Sequence, residues 1–222
     1  MKNYRTINEI VVSEYKIKKS KFYCYMKPID SKEEAESFIE EISKKNYDAR
    51  HNVPVYLIGY NYEIQKYSDD GEPSGTAGMP ILEMLKNERI TNIAVVVTRY
   101  FGGIKLGTGG LLRAYLESAR LSLDKCEFVD RIIYKKISFF ADYTMHGKFM
   151  NYIKNSDMIE LASEEFSDKV EIKLFINAEN FDRIEKDFVN IFSGQINLKE
   201  EGLFYLSFVN DKRLIGKEIY IG

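Results

Sequence analysis

The chain has no tryptophan, two cysteines, two histidines and four prolines among its 222 residues. Each scarcity removes a class of protein. Cys24 and Cys126 lie about a hundred residues apart and form no CxxC spacing. With so few histidines as well, a structural zinc site of ordinary composition is excluded. Two unpaired thiols point to a reducing compartment and to no disulfide-linked partner. No apolar run approaches the length of a membrane span. The N-terminal stretch MKNYRTINEIVVSEYKIKK lacks the apolar centre of a secretory signal. A soluble, cytoplasmic protein without a membrane partner is expected. Neither sign of charge dominates, since 32 Lys and Arg face 34 Asp and Glu, a formal net charge of −2. That balance excludes a strongly basic nucleic-acid binder and leaves room for a local basic patch.

What the chain does have is apolar residues, 45% of the total, enough for one or two packed domains. Strands are predicted over 9–16 and 21–29. A helix follows from a cap at Asp30 or Ser31 to about Lys45 or Asn46, with Ala35, Phe38, Ile39 and Ile42 at helical spacing. VPVYLIGY, residues 53–60, reads as a strand with a return over 62–67, and Pro54 predicts an edge position or a start just after it. Ile81 to Leu85 sit in a short helix. ITNIAVVVT, residues 90–98, is a nearly continuous apolar run, the mark of a central strand. A helix over 110–123 carries Leu111, Leu112, Tyr115, Leu116, Ala119 and Leu123 on one side. Beyond residue 131 the pattern is strand, helix, strand, strand, helix, strand, the βαββαβ order of a ferredoxin-like sandwich. The tail from Asp211 is expected to add a short strand. The fold class is therefore α+β in two domains, 1–128 and 129–222. The first carries 19 basic and 18 acidic side chains and the second 13 and 16, so charge mildly favours the first for an anionic ligand.

Two segments stand out. TRYFGGIKLGTGGLLRAY, residues 98–115, joins the central strand to the last helix of the first domain. The free N–H groups at that helix start suit an anion, and Arg99, Lys105 and Arg113 supply charge. The glycine spacing fits neither GxxxxGK[ST] nor GxGxxG, so no standard nucleotide loop is predicted. The glycines serve equally as a tight connection with close backbone contacts. Tyr100 and Phe101 serve as stacking platforms or as core. SDDGEPSGTAGMP, residues 68–80, is a loop bearing Asp69, Asp70, Glu72, Ser74 and Thr76. Its carboxylates suit hydrogen bonds from Arg or Lys, or Mg²⁺, and equally an ordinary turn. It lacks the EF-hand pattern. No other cofactor is implied. Ser74 is out of register for a G-x-S-x-G elbow, Cys24 lies in a strand, and His51 is a base or a satisfied histidine, so no catalytic residue is assigned.

DDGEPSGTAGMP (69–80) together with VVVTRYFGGIKLGTGGLLRAY (95–115) closely resembles the YigZ/IMPACT family. KFYCYMKPIDSKEEAESFIEEI and DARHN, with Ala49 and His51, match its pattern too. The match runs over about residues 15–125. Many members have HNCxAY where this chain has HNVPVY, which argues against a required thiol there. The resemblance implies a ribosomal protein S5 domain 2-like first domain and a second domain similar to the ferredoxin-like domain V of elongation factor G. It also implies RNA or ribosome association, and in eukaryotic relatives regulation of translation initiation through a protein partner. The leading expectation is an RNA- or ribosome-associated binding protein acting in translation or its regulation. In that reading Arg99, Lys105, Thr108 and Arg113 meet phosphate, and Tyr100 or Phe101 stacks on a base. The acidic loop orients the basic groups. The alternatives are a hydrolase or transferase acting on a small anionic or peptide-like substrate, and a protein–protein regulatory module.

Overall fold

The computed structural model describes residues 2–222. The chain divides into two units, Met1–Asp130 and Arg131–Gly222. Unit 1 contains β1 (Tyr4–Ile7), β2 (Val11–Ile17), β3 (Ser20–Pro28), α1 (Lys32–Lys45), β4 (His51–Ile58), β5 (Ile64–Tyr67), α2 (Gly78–Asn87), β6 (Ile93–Tyr100) and α3 (Thr108–Leu123). Five strands form one sheet in the order β2-β3-β6-β4-β5, antiparallel at every step. The apolar run at 93–97 is thus the central strand, as its composition predicts.

A strand turns successive side chains to opposite faces, and β6 is apolar on both because both are covered. Ile93, Val95 and Val97 pack with Ile81, Leu85, Leu111 and Tyr115 from α2 and α3. Ala94 and Val96 pack with Phe38 and Ile42 from α1. Continued to the end of the strand, the alternation sends Arg99 to the α3 side and Tyr100 to the α1 side.

Helix α1 begins where its cap predicts. The Ser31 hydroxyl accepts the Glu34 N–H at 3.1 Å, and the Glu34 carboxylate accepts the Asp30 N–H at 2.9 Å. Pro54 departs from the sequence expectation. It lies inside β4, which pairs on both sides, and β5 is the edge strand. Its carbonyl accepts the Ser68 N–H at 3.1 Å, just past the end of β5. The nitrogen faces the same way as the carbonyl, so its missing hydrogen removes no bond from the central β4–β6 ladder.

Unit 2 continues from β7 (Phe128–Ala141), which starts in unit 1, through α4 (Tyr143–Lys154), β8 (Ile159–Phe166), β9 (Val170–Asn177), α5 (Phe181–Ile191) and β10 (Lys199–Val209). A single 3₁₀ turn, Ala178–Asn180, leads into α5. The strand order β10-β7-β9-β8 is that of a ferredoxin-like sandwich. Phe139, Phe149 and Phe188 knit the helices to the sheet, with ring centroids 4.9 to 6.1 Å apart. The tail adds two short strands, β11 (Lys212–Arg213) and β12 (Ile219–Tyr220), both paired with β10. Among the described residues no helix is long and apolar enough to cross a membrane.

The connection from β6 to α3 depends on one close approach. A Cβ on Gly102 would collide with the Lys19 carbonyl and the Ser20 nitrogen, whereas one on Gly109, in the first turn of α3, meets nothing within 4 Å. Gly102→Ala is therefore expected to lower stability by about 1–3 kcal/mol through backbone displacement. Gly109→Ala is expected to raise it by about 0.4–1 kcal/mol through the unfolded chain. Urea denaturation of the two variants checks the opposite signs.

Candidate anion-binding site

Arg99 is the residue around which the site is assembled. Its register partners are Phe22 on β3 and His51 on β4. Its side chain is only 6% exposed. One terminal nitrogen donates to Glu72 Oε1 at 2.5 Å. The guanidinium lies 5.6 Å from the centroids of both Phe22 and Phe101, so rings flank it. Glu72 is the most buried acid of the loop, its side chain 3% exposed. Its Oε1 also accepts the Tyr115 hydroxyl at 2.8 Å. Burial and the adjacent Glu72 carboxylate push the Tyr115 hydroxyl well above the ordinary phenol range. The Arg99 Nε is buried without any hydrogen-bond partner.

The remaining polar groups of 68–78 hold that carboxylate in place. Asp69 accepts the N–H groups of Gly75 (2.8 Å), Ala77 (3.1 Å) and Gly78 (2.8 Å). Asp70 accepts the Asn52 N–H at 2.6 Å, and Asn52 in turn accepts the Thr98 hydroxyl at 2.7 Å. Thr76 donates to the Pro73 carbonyl at 2.6 Å. Asp69, Asp70 and Thr76 thus bind backbone, and Ser74 faces solvent. Among the described residues no group of three His, Cys, Asp or Glu side chains converges as metal ligands would.

His51 enters from β4. Its Nδ1 is 2.6 Å from the Asp70 carbonyl. A carbonyl only accepts, so Nδ1 carries the hydrogen. Nε2 then faces Glu72 Oε1 at 3.6 Å. Beside it opens a cleft of about 570 Å³. Arg50, His51, Arg99 and Lys105 line it together with Glu72, and Gly107 and Thr108 bring in the start of α3. Both singled-out segments thus share one cleft. Gly107, at φ 74°, precedes the helix with no side-chain cap and no acidic residue in the first turn. Leu111 is the first residue to donate within the helix, to the Gly107 carbonyl at 2.9 Å. The N–H groups of Thr108, Gly109 and Gly110 have no intrahelical acceptor. Arg99 and Glu72 offset one another, which leaves Arg50, Lys105 and the helix terminus as the field of the cleft.

The comparisons with known proteins agree with this architecture. Residues 18–123 match the Impact N-terminal domain, and residues 139–195 match a domain of unknown function, DUF1949. The chain is 40% identical over 204 residues to the IMPACT family member YvyE of Bacillus subtilis, covering 92% of this chain and 94% of that one. The chain belongs to the IMPACT family. An IMPACT family member of Haemophilus influenzae is 31% identical across 88% of this chain and 96% of its own. A crystal structure titled as a hypothetical protein superposes with a TM-score of 0.58 at 26% identity, over 89% of this chain and 97% of that one.

In this IMPACT-family chain the residues singled out from sequence separate by face. Arg99, Phe101, Lys105, Thr108 and Glu72 line the cleft. Arg113 is exposed on α3 outside it. Tyr100 lies across the sheet, its hydroxyl donating to Asp48 at 3.1 Å. Val53, in the HNVPVY stretch, is fully buried in the core. Residue-type pattern does not single out Arg50 or Tyr115, and it leaves the role of His51 open. The DARHN stretch reaches Arg99 only through the β4–β6 pairing, which local pattern does not encode.

The buried acids of unit 1 set an alkaline limit on its stability. Tyr115 is held neutral above its ordinary value of 10, and burial pushes the Cys24 thiol from 9 up to about 12. The unfolded chain loses these protons first, so stability is intact below pH 9 and falls as pH rises through 9 to 12. Urea titrations at several pH values should show Tyr115→Phe less stable at neutral pH. Above pH 10 its decline should be shallower by about 1.4 kcal/mol per pH unit, the slope of one proton.

Proposed function

We propose that unit 1 binds a phosphate group of RNA in the Arg99 cleft, and that the protein works as an RNA- or ribosome-associated factor in translation or its regulation. The observation that carries the phosphate reading is the convergence of Arg50, Lys105 and the uncapped start of α3 on one cleft. A phosphate brings several acceptor oxygens and suits guanidinium, ammonium and helix N–H donors at once. Arg50 and Lys105 pair with no carboxylate among the described residues, so their charge is available to a ligand. The translation role rests on the family resemblance. Cytoplasmic residence belongs to the same reading. Binding of ribosomal subunits and of short RNA, measured against salt, tests it. For Arg50→Ala and Lys105→Ala the slope of log affinity against log salt should become shallower by about one for each cation removed. If Arg113→Ala weakens binding as much as Lys105→Ala, the interface is the outer surface of α3 and not the cleft.

One observation favours a second reading, a hydrolase or transferase for a small anionic substrate. His51 lines the cleft with Nδ1 fixed on the Asp70 carbonyl and Nε2 3.6 Å from Glu72 Oε1, a fixed tautomer in which Nε2 is the atom able to accept a proton. Turnover of a phosphodiester in a substrate screen, abolished in His51→Gln with the fold intact, would support it. No turnover in the wild type rejects it for that substrate class.

A further inference from the structure

A second concavity lies on the other face of the same sheet. Its volume is about 510 Å³. Tyr23, Tyr25 and Tyr100 line it together with Lys19 and Lys21. Tyr23 and Tyr100 meet edge to face, with centroids 6.0 Å apart. Their hydroxyls are tied down, Tyr23 to Glu14 at 2.8 Å and Tyr100 to Asp48 at 3.1 Å. The rings are therefore oriented before any ligand arrives. Burial, then the Asp48 bond, pushes the Tyr100 hydroxyl up to about 12, so it stays a neutral donor.

The two concavities share Phe101, which is 48% exposed at the end of β6. Arg99 lies on the α3 side of that strand and Tyr100 on the α1 side. Phe101 follows them and lines both hollows. The chemistry of the hollows differs. The Arg99 cleft offers guanidinium, ammonium and helix N–H groups to an anion. The tyrosine hollow offers ring surfaces, with the Asp48 carboxylate among its walls. A carboxylate repels phosphate and accepts the N–H edge of a base. Lys19 and Lys21 line the same hollow and supply positive charge to phosphates beside such a base.

We infer that the tyrosine hollow is a nucleobase site, and that the ligand of unit 1 is a single-stranded RNA crossing over Phe101, with a phosphate in the Arg99 cleft and a base against Tyr23 and Tyr100. This rests on the phosphate reading of the Arg99 cleft and extends it. A duplex is excluded because its bases are stacked on each other and cannot lie on the tyrosines.

The experiment compares uridine 5′-monophosphate with 5′-phosphorylated tetrauridylate by calorimetry. It also compares a uridine dodecamer with its adenosine duplex. The tetranucleotide should bind at least about fivefold more tightly than the mononucleotide, the least expected of one stacked base. Lys21→Glu, an exposed change opposite Tyr100 in the β3–β6 register, should remove that gain. Amide NMR shifts on tetrauridylate binding should reach Lys21, Tyr23 and Tyr100 as well as the Arg99 cleft. Equal affinity for the two ligands, equal affinity for duplex and single strand, or shifts confined to the Arg99 cleft would each overturn this inference alone. Absence of binding by either uridylate would overturn the phosphate reading and this inference with it.

Discussion

The organisation of unit 1 depends on one buried ion pair, Arg99 with Glu72. Neither side chain is more than 6% exposed, and a charge taken out of water is costly unless it is paired and hydrogen-bonded. The surroundings meet that condition from several elements at once. The carboxylate arrives on the 68–78 loop, the guanidinium on the central strand, one ring on β3 and one just past β6, and the Tyr115 hydroxyl on α3. Moving any of these strands or helices would strand a charge. The pair therefore fixes where the acidic loop lies against the sheet and where α3 begins. It also leaves the Arg99 Nε buried and unpartnered, as are the Nε atoms of Arg131 and Arg213.

The elements were largely legible because their signals are local. Ser31 caps a helix, the 93–97 run is apolar on both faces, and the unit 2 strands and helices alternate in one order. The site was legible in part. Both loops were found, since only loops of that composition fail to form regular elements. Their division of labour was not. Asp69, Asp70 and Glu72 are near-identical letters within four positions, yet Asp69 takes three backbone N–H groups and Glu72 takes the arginine. That difference comes from the path of the loop, with Asp70 at φ 45° and Gly71 at φ 81°, and no residue-type pattern encodes it. Pro54 misled for a related reason. Its effect depends on which way one nitrogen points relative to a neighbouring strand that ends one residue too soon.

Adjacent residues in TRYF also resist a one-dimensional reading. As a string they form one cluster of a cation and two rings. In a strand they alternate, so Arg99 and Tyr100 serve opposite surfaces of the sheet and Phe101, beyond the strand, serves both. A basic residue beside aromatics thus describes two neighbouring hollows of different chemistry.

The near-zero net charge looks at first unfavourable to a nucleic-acid ligand, because backbone binding scales with the number of phosphates neutralised. The geometry changes the relevant count. Charges farther away than a Debye length, about 8 Å at physiological salt, are largely screened at the surface. The charges that line the cleft are Arg50 and Lys105, together with Arg99 and the Glu72 that offsets it, beside the uncapped start of α3. A chain can be neutral overall and still present a positive interior corner, provided the corner is small. That fits a ligand held at one phosphate with its neighbours held by other means. It does not fit a protein that grips a long polyanion along its length.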